Sequence, residues 1–231
     1  MQHLLEPFRR IPSAELYFLE PIRRLRREGY DVPAPRAVGR TIYRYGRCGV
    51  VIRYADERDL KRLADQGVDR LIYVIDDDLE AILDDPQLPE RYRARIGSFL
   101  RGTWQTLVRS ADAVVVPNQI MARHYGRRAI AAPPCWPLQP ATTEHFEQSG
   151  PIRAIIAGGA SHAADVAMIA SEIAEAFKGF GDVELINFST FGLSAFHART
   201  SERPRQVSWR RHKTMLGTMK CHLALYPLRP T

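Results

Sequence analysis

Apolar residues along this chain fall into two alternating rhythms. Short, nearly continuous apolar runs occupy residues 49–54 (GVVIRY), 71–75 (LIYVI), 113–116 (AVVV), 129–132, 153–157, 183–188, 206–209 and 222–226. Runs of this length, rich in β-branched residues, predict strands buried on both faces of a parallel sheet. Between them lie segments with apolar residues at helical spacing. Residues 14–28 carry Phe18, Ile22 and Leu25, and 56–66 carry Leu60 and Leu63. Residues 89–110 carry Tyr92, Ile96, Phe99, Trp104 and Leu107, and further helices are expected over 119–125, 163–178 and 213–219. Ser13 is placed to cap the first helix and Gly29 to end it, while Pro21 predicts a kink or a late start. Gly97 and Gly102 weaken the helix expected over 89–110 without abolishing its pattern.

Strands alternating with helices predict an α/β fold built from parallel βαβ units. The proline-rich segment 133–151 has few periodic apolar positions and reads as a linker. It separates a first Rossmann-like domain, 1–132, from a second, 152–231, which is expected to be incomplete.

Composition narrows the picture. With 231 residues, 45% hydrophobic and 26% charged, the chain is ordinary for a globular protein and can bury a core. No apolar run approaches the ~20 residues that span a bilayer. The first residues lack the apolar region and cleavage site of a signal peptide, so a cytoplasmic location is expected. Cys48, Cys135 and Cys221 are odd in number and widely spaced, which predicts buried thiols rather than disulfides or a structural zinc site. The net charge of +7 comes almost wholly from arginine, the lysines being Lys61, Lys178, Lys213 and Lys220. Such a surface attracts phosphates. The basic residues are nevertheless dispersed and match no nucleic-acid module, so no nucleic-acid partner is expected. Arg23, Arg24, Arg26 and Arg27 form either a solvated helix face or a patch for peripheral contact with the inner membrane face.

Two positions concentrate candidate chemistry. Gly158 and Gly159 follow a buried strand and would let backbone amides approach a ligand closely. Ser161 would cap the next helix, and His162 could donate to a phosphate or sugar oxygen. Asp165 would equally stabilise that helix with no ligand present. The second position is Asp76-Asp77-Asp78, at the end of another strand, where α/β proteins place ligand groups. These carboxylates read as a divalent-metal site, as acceptor or acid/base groups, or as a solvated loop capping 79–83. Asn118 ends a third strand and faces a ligand or caps 119–125. The remaining histidines form no HExxH spacing, and neither GxSxG nor a P-loop lysine motif is present.

The ordered series LIYVIDDDLEAI (71–82), ADAVVVPN (111–118), IIAGGASHAAD (155–165) and HLALYPL (222–228) resembles bacterial glycosyltransferases of the GT-B fold. It is most similar to the family 4 group and related cell-surface polysaccharide enzymes. The resemblance implies transfer of a sugar from a nucleotide-sugar donor to a saccharide or lipid-linked acceptor, without a metal or other cofactor. It puts Gly158, Gly159, Ser161 and His162 on the donor-phosphate side. Asp76 and Asp77 would be catalytic, lining the acceptor cleft with Asp78 and Asn118. Retention of anomeric configuration is also only what the resemblance suggests. The family pattern continues past the "PL" strand into a diphosphate-binding lysine or arginine and a ribose-binding glutamate, where this sequence reads PLRPT. The donor site is therefore expected to lack its main nucleotide clamp. A non-catalytic remnant or partner subunit of the same fold, and a generic nucleotide-binding α/β protein, are the alternatives.

Overall fold

A computed structural model describes residues 11–136, 142–159, 162–180, 182–189, 199–202 and 208–227. The chain divides into two compact units, Met1–Pro137 and Leu138–Thr231.

The first unit is a helix-flanked α/β structure, consistent with a Rossmann-like architecture. Its six-stranded sheet runs in sequence order: β1 (Arg36–Ala37), β2 (Ile42–Tyr45), β3 (Cys48–Ile52), β4 (Arg70–Val74), β5 (Ala113–Val116) and β6 (Ala129–Ala131). From β3 to β6 the pairing is parallel, whereas β1 and β2 add an antiparallel edge. That edge was not expected, because its residues, RAVGRTIYRY, interrupt every apolar pair with arginine, glycine or threonine.

Side chains alternate across the pleat and so build two cores. Ile42, Val51, Tyr73, Ile75, Val114 and Val116 face one side. They meet Leu63 of α3 (Glu57–Ala64), Leu79 of α4 (Leu79–Asp84), Ile96 and Leu100 of α5 (Glu90–Arg101) and Leu107 of α6 (Thr103–Ser110). Tyr43, Val50, Ile52 and Val74 face the other side and are covered by Ala14, Phe18, Leu19 and Ile22 from the start of the chain. Gly49 is required here, since a Cβ would lie 2.6 Å from Cδ2 of Leu63 and force α3 away from the sheet.

Three helical expectations change. The first helix is not one α-helix: α1 (Pro12–Ala14) passes through a π-helical turn (Glu15–Leu19) into α2 (Glu20–Arg27). The wider turn lies just ahead of Pro21, which has no N–H to give to a regular ladder. Ser13 does not cap this helix; its hydroxyl is used elsewhere. The helix expected over 89–110 is two, because Gly102 between them takes ψ −119°. Tyr92 and Phe99 are half-buried, while Ile96 and Leu107 are fully enclosed.

In the second unit, a four-stranded parallel sheet has the order β10-β7-β8-β9, with β7 (Ile152–Gly158), β8 (Val183–Ser189), β9 (Arg199–Glu202) and β10 (Leu223–Leu225). The helix expected over 163–178 is interrupted at Ile169 into α8 (Ala163–Met168) and α9 (Ala170–Gly179). The strand expected over 206–209 is corrected: Ser208 caps α10 (Trp209–Thr218), its oxygen accepting from the Arg211 N–H, and residues 203–207 lie outside the described set. Ala154, Ile156, Val166, Ala170 and Leu185 form the core. His222 staples the start of β10, its Nδ1 accepting from the Arg153 N–H at 3.0 Å and its Nε2 donating to the His145 carbonyl at 3.0 Å.

Among the described residues, no helix is long and apolar enough to cross a membrane. Cys48, Cys135 and Cys221 form no disulfide, and each is part-exposed rather than buried as expected.

Candidate functional site

The carboxyl edge of the first sheet gathers an ion-paired cluster. β4 runs out into Asp76 and Asp77, and β3 runs out into Arg53. The Arg53 guanidinium pairs with Asp77, and its Nε lies 3.3 Å from Asp76 Oδ1. That second contact is charge attraction without hydrogen-bond geometry. The Ser13 hydroxyl donates to Asp76 Oδ2 at 2.7 Å, tying the buried start of the first helix to the strand end. Both expected catalytic carboxylates are thus brought together, but around a cation that sequence reasoning had not singled out. The signal was present: Arg53 is the one charged residue in the GVVIRY run.

Arg53 has φ +67°, a left-handed backbone that L-residues with a side chain adopt at a cost. Its backbone is pinned on both sides. The Arg53 N–H donates to the Val74 carbonyl at 2.8 Å, and its own carbonyl accepts from the Tyr73 hydroxyl at 3.1 Å. Strain held by its surroundings in this way is typical of a ligand-handling position.

Asp78 and Asn118 are elsewhere engaged. Asp78 Oδ1 accepts from the Ala81 N–H at 3.1 Å and caps α4. Asn118 Oδ1 accepts from the Met121 N–H at 2.9 Å and caps α7 (Gln119–Tyr125). Each makes the cap that sequence reasoning had set beside its ligand-facing role. Among the described residues, no group of three or more His, Cys, Asp or Glu is placed to hold a metal ion. Asp76 and Asp77 face a guanidinium and Asp78 faces a helix.

Beside this cluster a cleft of about 860 Å³ opens between the end of β3, the turn before β2 and α5. The Arg95 guanidinium lies 5.8 Å from the Tyr54 ring centre and 5.2 Å from that of Tyr92, while Arg53 lies 5.5 Å from Tyr54. Tyr54 also packs edge-on against Phe99. Among the described residues, neither Arg40 nor Arg95 has a carboxylate partner. Tyr92 and Phe99 had read simply as part of a core stripe.

Several tyrosines of this unit hold their protons tightly. Burial pushes Tyr73 well above its ordinary 10. Burial, aided by the Glu80 and Asp78 carboxylates, lifts Tyr125 to about 12. Burial and then Asp76 raise Tyr17, against an opposing effect of Arg53. Unfolded tyrosines ionise near pH 10 while the folded ones do not, so the folded state binds more protons above that pH. Stability is therefore complete below pH 10 and falls as pH rises toward 12, by about 1.4 kcal/mol per pH unit for each proton retained. Urea midpoints measured between pH 8 and 11.5 are expected to decline above pH 10, less steeply in Tyr73→Phe. A flat profile would contradict the enclosure of Tyr73.

In the second unit, β7 has β10 on one side and β8 on the other, all parallel. The strand order therefore reverses beside β7. Carboxyl ends at such a reversal splay apart and leave a crevice where open α/β sheets bind ligands. Gly158 ends β7 there, the exposed Gly159 follows, and the His162 N–H donates to the Gly159 carbonyl at 3.0 Å to close the turn. His162 Nδ1 lies 3.0 Å from Oδ2 of the buried Asp165, so this carboxylate orients the ring. Nε2 is left facing the Tyr226 hydroxyl at 3.4 Å, just past β10. Gly158, Gly159 and His162 thus come together. Ser161 lies outside the described residues. Asp165 serves the imidazole as well as its own helix. Tyr226 had been read only as the end of a strand. With only six residues, α8 supplies a small helix field, so among the described residues the His162 ring is the polar side chain this turn offers an anion.

Scans against protein-family models, curated proteins and solved structures find no match to this chain. The chemistry of these two sites is accordingly read from their residues.

Proposed function

We propose that this chain is a glycosyltransferase, or a segment of one, of GT-B organisation. Its second unit would bind a nucleotide-sugar donor and its first a saccharide or lipid-linked acceptor, in the synthesis of a cell-surface polysaccharide. The observation that carries the reading is the strand-order reversal at β7 and β10, with Gly158, Gly159, His162 and Tyr226 at its carboxyl end. A glycine turn admits a diphosphate close to backbone N–H groups. An imidazole held by Asp165 through Nδ1 directs Nε2 at the same space, where a proton on it would stabilise the departing phosphate without a metal.

One observation favours a second reading, a non-catalytic protein of this fold. Arg53 pairs with one oxygen of Asp77 and lies against Asp76, whose other oxygen takes the Ser13 hydroxyl, so only part of each carboxylate is left for an acceptor's proton. A general base needs an open lone pair within reach of the proton it removes.

The experiment is a thermal-shift screen with UDP-, GDP-, dTDP- and ADP-linked sugars, followed by a transfer assay. A ligand that binds only the folded state raises the midpoint, the more so the further its concentration exceeds Kd. We expect a clear shift with one nucleotide. A shift without transfer would support the non-catalytic protein, and no shift from a folded sample would overturn the donor assignment.

A further inference from the structure

We infer that the cleft beside Arg53 in the first unit is a saccharide-binding site, seating a pyranose ring against Tyr54, Tyr92 and Phe99 and its hydroxyls between Arg95 and the acidic start of α3. The inference names the acceptor class for the function proposed above but does not depend on the donor assignment. A sugar-binding protein without transferase activity would use the same cleft.

The cleft's volume, about 860 Å³, falls inside the ~300–1,000 Å³ typical of small-molecule sites. Its walls differ in chemistry. On α5, Tyr92, Arg95 and Phe99 present aromatic surface and a guanidinium, with Tyr54 completing the floor. Arg95 is exposed, yet it is held over two tyrosine rings and has no carboxylate partner among the described residues, so its donors are oriented and available. The opposite wall carries Asp56, Glu57 and Asp59.

The acidic start of α3 disfavours a phosphate at that end of the cleft, although Arg40 and Arg95 also line it. Asp56 Oδ1 accepts from the Asp59 N–H at 2.8 Å, and Asp59 Oδ2 accepts from the Asp56 N–H at 3.4 Å. This reciprocal capping box gives the Asp56 and Asp59 amides their acceptors and places both carboxylates at the helix end. An anion at that helix end would meet two carboxylates. A guanidinium facing carboxylates suits a neutral ligand rich in hydroxyls, because a hydroxyl accepts from the first and donates to the second. The apolar C–H face of a pyranose is matched by aromatic faces, which bury carbon while leaving polar edges wet.

The floor of the cleft is braced for this work. The Thr41 hydroxyl donates to the Tyr54 carbonyl, and the Thr103 hydroxyl donates to the Ala55 carbonyl. With the pinned backbone of Arg53, the segment from Arg53 to Ala55 is fixed from three elements. A site prepared before its ligand arrives loses less freedom on binding.

The test uses the full chain and three probes: methyl β-glucoside, cellobiose and a disaccharide bearing one glucuronic acid. Saturation-transfer NMR detects contact, and calorimetry gives affinity, expected on the order of 1 mM for a disaccharide. Arg95→Gln and Ser98→Trp are both exposed changes on α5, the second plugging the cleft without entering the core. Each is expected to weaken disaccharide binding at least tenfold while the thermal midpoint stays close to that of the parent. Preference for the glucuronic acid probe would assign its carboxylate to Arg95 within the same site. No contact with any probe from folded protein, or unchanged affinity in both variants, would overturn the inference. Nucleotide-sugar shifts fail or succeed independently, so saccharide binding without a nucleotide shift would retain the cleft and remove the transferase.

Discussion

Arg53→Ala is expected to cost the first unit about 3 kcal/mol, the scale at which removing one partner strands a largely enclosed charge. Asp76 and Asp77 would lose their shared cation, and the Ser13 hydroxyl alone would remain on Asp76. Arg53→Gly removes the same guanidinium but is expected to be more stable than the alanine variant by about 1 kcal/mol. This reverses the usual ranking, because glycine occupies φ +67° without a Cβ penalty. Urea unfolding of the two variants gives both numbers. Asp76→Asn combined with Arg53→Ala should recover part of the loss, since the stranded charge is then reduced. Equal stability of the alanine and glycine variants would contradict the left-handed backbone. A loss below about 0.5 kcal/mol would show the ion pairs to be no stronger than those on an open surface.

Gly158→Val is expected to abolish the nucleotide-induced thermal shift, a loss of at least tenfold in affinity. A Cβ on Gly158 would stand 3.2 Å from the His162 Cβ, tighter than most real contacts, and in ordinary contact with its Cδ2 at 3.5 Å. Valine adds two methyl groups in the same direction, so it fills the turn and presses the imidazole away from Asp165. Overpacking of this kind costs about 1–3 kcal/mol, and the unliganded midpoint should fall as well. Gly158→Ala separates the two effects, as it makes only the tight contact and should bind with intermediate affinity. Unchanged affinity in the valine variant would remove the donor from this turn.

Much of the scaffold was legible because burial writes a strong pattern. The AVVV run gave Ala113–Val116 at its observed limits, and IRAIIAG gave β7 to within a residue at each end. Helix caps were equally legible, since Asp78 and Asn118 are short acceptors directly before a helix. What could not be read was pairing at a distance. Ser13 looked like a cap, but its hydroxyl reaches 63 residues along the chain to Asp76. Tyr92 and Phe99 looked like core because helical spacing places them with Ile96; they do pack against it, but at its edge, where each also lines the cleft. Arg53 stands out locally only as the one charged residue of its run, since its importance lies in a backbone angle and in two carboxylates from the next strand.

Strand order also sets when each half of the molecule can be finished. In the first sheet every strand pairs with the one made just before it, so the layer can grow in step with synthesis and its contacts stay short in sequence. The second sheet behaves differently. Its earliest strand must wait for its latest, as Leu223–Leu225 pairs with Ala154–Ile156 only after some seventy intervening residues exist. Closing that loop carries an entropic cost, and until it closes Gly158 and His162 stand beside an open sheet edge without Tyr226. A ribosome-bound chain would therefore fold its arginine-lined cleft first and close the sheet edge beside Gly158 last.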